Sequence, residues 1–367
     1  MGTGSMHVIQ LVQFQIFIMN ELLHERSATE FPLMVVTSIV YPCNFGCPNC
    51  PYTDENSDLR KFYRMNKADF ISKEIWDKIS DECGKYGSFI RCTGGGEPML
   101  HPDLTEMIIS AKTKGAKIWI NTNGSKFGPD IQGRNKLRQI IDSGVDMIEF
   151  SMDAADHKTY SILRPPISGK DSRSSQERWN DQINNIRYAL EYRNSLGKFE
   201  TNIVVSMIKQ KELVDIDGAE KFWRDEVKVD NVILRKFLTW DNNTLLNDAN
   251  SSDQIYSNTK NPNFDFSQIS PCVWLFERLN IDTLGRFALC GQDISFSTAD
   301  LFPTINEISI ENVWKGDIFN KYRQTHTSGN AGNISPCMNC SAWKAGVRDW
   351  NYGWLKVLKD SSPQVIS

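Results

Sequence analysis

The sequence predicts an α/β protein: an open, partial (β/α)6 barrel of the TIM type, followed by a small α+β domain. Three observations point there. Short apolar runs rich in β-branched residues alternate with segments of helical periodicity along residues 33–238. Each of these runs is nearly continuous, as expected of parallel strands buried on both faces. After residue 238 the alternation stops and the composition turns to Asn, Asp and Ser. Six units are too few to close an eight-stranded barrel, so the predicted sheet stays open.

The elements follow in order. "PLMVVTSIV" (32–40) is the first strand. A helix is predicted over 66–87, with Asn66 as N-cap, Phe70, Ile71, Ile75 and Ile79 at helical spacing, and a stop at Gly84 or Gly87. Strand 88–93 runs into "GGGEP"; helix 103–115 and strand 116–124 come next. Residues 136–144 end a third helix, and 146–153 form a fourth strand. The fourth helix spans 175–197, with Trp179, Ile183, Ile186 and Leu190 on one face. Strand 198–208, a weaker helix over 212–227 and strand 230–238 complete the repeat.

Residues 1–32 read as an N-terminal extension, 33–238 as the partial barrel, 239–271 as a linker or cover loop, and 272–367 as the second domain. Within the last segment, 276–282 and 286–290 flank "TLG" as a β-hairpin, 305–326 reads as a short strand and helix, and a last helix follows "CMNC". The opening "MGTGSM" is compatible with a cloning scar. The apolar stretch 7–19 is interrupted by three glutamines and does not read as a signal peptide.

Composition narrows the function. The 367 residues are 40% hydrophobic and 23% charged, with net charge −4, which supports neither a nucleic-acid nor a membrane-surface partner. No run is long enough to span a bilayer. A cytoplasmic location is expected, and there nine cysteines read as metal ligands or catalytic groups rather than disulfides.

Those cysteines are grouped. Cys43, Cys47 and Cys50 fall in one short loop after the first strand; Cys272, Cys290, Cys337 and Cys340 lie in the last hundred residues. Cys83 and Cys92 belong to neither set. Thiolates hold zinc or iron–sulfur clusters. A zinc in the first loop needs a fourth ligand, from Asp54 or His101, whereas a three-cysteine cubane leaves one iron open. "GGGEP", "NTNG" and "SMD" end the second, third and fourth strands, so all four motifs reach the C-terminal rim where such folds do chemistry.

The C-x3-C-x2-C loop of Cys43, Cys47 and Cys50, with "GGGEP" (94–98), "NTNG" (121–124) and "SMDA" (151–154) in that order, resembles the radical S-adenosylmethionine (SAM) enzymes. The resemblance covers roughly residues 33–238. It implies a [4Fe–4S] cluster whose open iron is chelated by SAM, and a 5′-deoxyadenosyl radical that abstracts hydrogen from substrate. It places Tyr52 near the adenine, with Tyr41 also available. Gly94, Gly95 and Gly96 would receive the methionyl ammonium, with Glu97 shaping the loop. Asn123 and Ser151 fall where the ribose or carboxylate is contacted, and Arg164 at a carboxylate position.

The second set resembles the twitch domain, a shortened SPASM domain, and implies an auxiliary [4Fe–4S] cluster; structural zinc is the competing reading. No cysteine follows Cys340, which argues against a further cluster. The spacing is similar to that of a dehydrogenase that oxidises an aminocyclitol alcohol. The expected activity is oxidation of a sugar or aminocyclitol alcohol to a ketone. The auxiliary cluster would accept an electron, and a flavodoxin or ferredoxin would act as donor. Arg235 and Lys236, at the end of the sixth strand, are candidates to assist proton loss or hold a hydroxyl. The alternatives are an epimerase, with Cys92 or Cys83 donating hydrogen, a ribosomal-peptide maturase, and a binding protein with structural clusters.

Overall fold

The computed structural model describes residues 31–236 except 49, 55, 94, 129, 170, 211 and 214, residues 271–340, and Trp343. The linker expected at 239–271 and the last helix expected after "CMNC" lie outside the described residues, apart from residue 271 and Trp343.

Six parallel strands form as expected: β1 (Met34–Ser38), β2 (Phe89–Thr93), β3 (Lys117–Thr122), β4 (Met147–Ser151), β5 (Asn202–Lys209) and β6 (Asn231–Lys236). The hairpin also forms, as β7 (Arg278–Ile281) and β8 (Phe287–Ala288). Its placement was not foreseen. β7 pairs in parallel with β1, so one sheet runs β6-β5-β4-β3-β2-β1-β7-β8, and the expected domain boundary at 272 is not a break in the sheet. Among the described residues β6 and β8 do not pair, and the barrel stays open.

One expected helix and one expected strand need correction, and one further helix was not foreseen. The helix predicted from Asn66 is two helices, α1 (Asp58–Met65) and α2 (Lys73–Tyr86), and Asn66 caps the C-terminus of the first. Residues between them are held extended, because Tyr41 N donates to Asp69 O and Ile71 N donates to Ile39 O. Ser72 then caps α2 by accepting from Ile75 N. The short α5 (His157–Leu163) has too few turns to show periodicity and starts at Asp156, which accepts from Lys158 N and Thr159 N. No strand forms near residue 305: two consecutive helices, α9 (Ile310–Lys315) and α10 (Asp317–Thr327), occupy that region.

The remaining helices cover the outside of the sheet: α3 (Leu104–Thr113), α4 (Ile131–Asp142) and α6 (Ser175–Ser195), which opens on a capping box of Ser174 and Glu177. The weaker helix is α7 (Ile216–Lys221), running into a π-turn over Phe222–Val227 whose Trp223 Nε1 donates to Ala154 O. Finally α8 (Trp274–Glu277) leads into β7.

Alternation along each strand separates two environments. Ile90, Cys92, Ile118, Ile120 and Ile148 face the helices in the main core. Met34, Phe89, Trp119, Met147, Val204 and Ile233 form a separate apolar plug on the inner face. Above that plug the inner face is polar, and there the cavity opens.

Candidate active site

The cavity, of about 360 Å³, is lined by Cys43, Cys47, Cys50, Tyr52, Gly95, Gly96, Glu97, Asn123, Ser151, Arg164 and Arg235. Thus most of the residues predicted for the first site meet in one place. Gly94 and the side chain of Lys236 lie outside the described residues. Cys290 lines the same cavity, with Gly291, Gln292 and Asp293 beside it. The two cysteine sets therefore open onto one space.

The first loop is braced from three sides. Glu97 N donates to Pro42 O at 2.9 Å. A Cβ on Gly95 would stand 2.0 Å from Tyr41 Cδ1, and one on Gly96 would stand 2.0 Å from the Pro42 carbonyl oxygen. Only glycines let these two segments touch. On the second side, Asn123 Nδ2 donates to Asn44 Oδ1 (2.9 Å), and Asn44 Nδ2 donates to Ser125 Oγ (2.8 Å). On the third, Gly46 N donates to Pro165 O (2.8 Å) and Ile167 N to Asn44 O (3.2 Å).

Glu97 knits two of these sides together. Its buried carboxylate accepts from Met99 N, Thr122 Oγ1 and Asn123 N at 3.0, 2.6 and 2.7 Å. Burial pushes its pKa up, and those three donors pull against that. Arg164 is committed rather than open: Nε donates to Asp153 Oδ2 at 2.8 Å and Nη1 reaches Cys47 Sγ at 3.9 Å. Burial disfavours its charge, but Asp153 and Cys47 overturn this and raise its pKa. Tyr52 packs on Tyr41 with centroids 5.7 Å apart.

In the loop, burial and then the Glu97 charge push the Cys43 thiol up to about 12. Burial takes Cys47 to about 11 against the pull of Arg164. In the second set burial takes Cys272 to about 12 and raises Cys290 and Cys337 further; Cys337 also feels the charges of the other three thiols. So the four thiols of the second set, which come from well-separated positions in the chain, lie near enough to feel one another's charge. Among the described residues no three His, Cys, Asp or Glu groups stand close enough to grip a single metal ion. The donor chemistry of both sets, thiolates throughout, fits an iron–sulfur cluster, in which each thiolate binds a different iron.

Two catalytic expectations change. Cys92 is fully buried on the helix face of β2, pointing away from the cavity, where burial alone raises its pKa to about 12. It cannot donate hydrogen to a molecule in the cavity. Arg235 does line the cavity, but its Nη1 donates to Glu149 Oε1, and a guanidinium has no lone pair to take a proton. Proton loss therefore cannot go to Arg235, which is left as a donor of hydrogen bonds.

The sequence reading missed the polar layer around it. Glu149 is fully buried; Arg91 Nη2 pairs with its Oε2 at 3.2 Å and Trp119 Nε1 donates to it at 2.9 Å. Arg91 Nε also donates to Asn121 Oδ1 at 2.7 Å, and its guanidinium lies 4.5 Å from the Trp119 ring. The signal was present: a charged residue interrupts each of the apolar runs "FIRCT", "MIEFS" and "NVILRK" at an inward position.

Residues 37–205 match the family described as the radical SAM superfamily. Over 133 residues the chain is 23% identical to the mycofactocin maturase MftC of Mycobacterium ulcerans, covering 36% of this chain and 32% of that one. It is 25% identical over 176 residues to a tungsten-containing aldehyde ferredoxin oxidoreductase cofactor-modifying protein of Pyrococcus furiosus, covering 46% of this chain and 42% of that one. These alignments thus span less than half the length of either relative. The fold is similar to that of SuiB from Streptococcus suis bound to S-adenosylmethionine: TM-score 0.60, 16% identity, 89% of this chain and 74% of SuiB.

Proposed function

We propose that this chain is a radical SAM enzyme, as the family match over residues 37–205 supports, using a [4Fe–4S] cluster and SAM, and that it oxidises a carbon-bound alcohol of a small polar substrate to a ketone. The observation that carries the reading is the shared cavity, lined at once by the Cys43–Cys47–Cys50 loop and by Cys290. Cys43, Cys47 and Cys50 would hold the SAM-binding cluster; Cys272, Cys290, Cys337 and Cys340 would hold an auxiliary [4Fe–4S] cluster. When bound, these groups supply reductive cleavage of SAM to a 5′-deoxyadenosyl radical at one end of the cavity and a one-electron acceptor at the other.

The chain's own residues prepare that chemistry. Glycines 95 and 96 bring backbone against the cysteine loop, and Glu97 fixes both that loop and the end of β3. Asn123 holds the loop through Asn44, and Ser151 presents its side chain to the cavity from the end of β4. Arg164 keeps a positive charge beside Cys47. Over the whole reaction the substrate carbon would give one hydrogen atom to the 5′-deoxyadenosyl radical, which becomes 5′-deoxyadenosine; the hydroxyl proton would go to solvent, and the remaining electron is what an auxiliary cluster held by the second set would accept.

An epimerase would need a hydrogen donor facing the substrate. Cys83 and Cys92, the two cysteines outside the sets, are both fully buried in the helix-side core. Peptide modification is the second reading, favoured by the relative named a maturase and by the fold likeness to SuiB, which has been solved with a precursor peptide. Anaerobic cluster reconstitution and reduction should yield 5′-deoxyadenosine and, with substrate, a product two hydrogens lighter. A product of substrate mass in H2O that is one mass unit heavier when formed in D2O would overturn the oxidation in favour of epimerisation.

A further inference from the structure

The floor of the cavity carries guanidinium groups that the reaction above does not use. Arg91, Arg235 and Arg278 all line it. Glu149 lies between the first two, and Arg278 Nη2 stands 3.5 Å from Glu277 Oε2. Three guanidiniums therefore stand close together in a wall that is almost wholly shielded from water. The arginines feel one another: burial lowers the pKa of Arg91 to about 9, with Arg235 and Arg278 adding to the effect. Burial likewise lowers Arg278, with Arg235 contributing.

A second observation comes from β7. Val36 of β1 is in register with Arg91 on one side and Asn280 on the other, so Asn280 shares the inner row of the sheet. Asn280 is 5% exposed and lines the cavity, and its Nδ2 has no hydrogen-bond partner among the described residues. A buried amide donor left without an acceptor is costly, and native structures rarely keep one unless a ligand or water completes it. A buried amide N–H with no acceptor beside three guanidinium donors calls for a molecule rich in acceptor oxygens, and guanidinium donors favour one that is negatively charged.

We infer that the substrate carries an anionic group, a carboxylate or a phosphate, received at the cavity floor by Arg91, Arg235 and Arg278 together with Asn280. Arginine suits both anions because its planar fork donates two parallel hydrogen bonds. The inference rests on the proposed function for the position of the substrate, and it sharpens the substrate class. A free amine, as on an aminocyclitol, would arrive as a cation against this wall; an acidic or phosphorylated hydroxy compound would not.

The test is calorimetric titration of the cluster-loaded protein with SAM already bound, so that the carboxylate of SAM is not what is read. Malonate stands for the carboxylate, inorganic phosphate for the phosphoryl group, and glucosamine for a cationic substrate. One of the two anions should bind at least tenfold more tightly than glucosamine, and which one does so assigns the group. Arg278→Gln and Arg235→Gln should each weaken that anion at least tenfold, and Arg278→Lys should recover part of the loss. Should the glutamine variants fail to fold, raising the salt concentration over the wild-type protein must weaken the anion and not glucosamine. Glucosamine binding as tightly as either anion, a folded glutamine variant that binds the anion as the wild type does, or salt-independent anion binding each overturns the inference. Formation of 5′-deoxyadenosine by the wild-type protein is measured separately. Its absence would sink the proposed function and leave the anion result standing.

Discussion

The two cysteine sets open onto one cavity but are built in opposite ways. The first is local: Cys43, Cys47 and Cys50 sit in one loop, and the protein's work is to hold that loop still with Glu97, Asn123 and the 165–167 segment. The second is assembled: Cys272 precedes α8, Cys290 follows β8, and Cys337 begins a 3-10 turn ending at Asn339, just before Cys340. Packing around α10 brings them together; buried Arg323 there donates to Leu275 O at 2.9 Å and Trp314 O at 2.7 Å. A local set depends on its braces for position. An assembled set depends on the tertiary fold for its existence.

The largest expected effect breaks the comparison at the ligands. Replacing Cys43, Cys47 and Cys50 by alanine should abolish 5′-deoxyadenosine formation while leaving about four irons per chain on the second set. Iron analysis and product chromatography check this. If the same variant loses all iron and retains zinc, the second set is a zinc site and the electron-acceptor role falls.

Next comes Glu149, in the wall between the sets. Burial alone would raise its pKa, but Arg235 and Arg91 reverse this and hold it at about 2. A carboxyl whose folded pKa is depressed adds stability that is complete above its unfolded value near 4.5 and is lost as pH falls toward 2. Glu149→Gln should therefore cost about 3–5 kcal/mol at neutral pH, as removal of one partner from a buried pair does. The gap to wild type should close between about pH 4.5 and pH 2. Denaturant titrations of the apo-proteins across that range measure it; a constant gap would mean the carboxylate gains nothing from its arginines.

The braces come third. Gly96→Ala drives a Cβ into Pro42 and should cost about 1–3 kcal/mol while displacing the first loop. Arg323→Ala removes two buried backbone contacts and should act on the second loop by a comparable amount. Cluster spectra separate them. The first variant should perturb only the SAM-binding cluster and the second only the auxiliary one. A perturbation of both by either variant would show that the two sets are mechanically coupled. The smallest effect belongs to Cys92→Ala, which trims a buried thiol on the helix face: about 1 kcal/mol of stability and unchanged turnover. Loss of turnover with a normal melting curve would return Cys92 to the chemistry.

The contrast between the sets also sorts what could be read in advance. Periodicity fixed all six parallel strands and the β7–β8 hairpin to within a few residues, because a strand's apolar run is a local property of the chain. The spacing of Cys43, Cys47 and Cys50, and the order of the motifs after it, pointed to one rim for the same reason: each motif follows its own strand. Helix starts were less legible. Asn66 and Ser72 are both good caps, and only the contacts of Ile71 N with Ile39 O and Tyr41 N with Asp69 O choose between them. Cys92 and Arg91 are adjacent in sequence, yet the pleat sends one to the helix core and the other to the cavity.

By itself, then, the sequence determined the class of the sheet, the motifs that the family match spans and the first cysteine set, since these depend on neighbours along the chain. The tertiary structure alone decided that β7 joins β1, that Cys290 shares a cavity with Cys43, and that Arg91 and Arg235 both pair with Glu149. Those facts join residues far apart in sequence, and long-range pairing is set by which buried faces and charges find partners, a balance that no local pattern records.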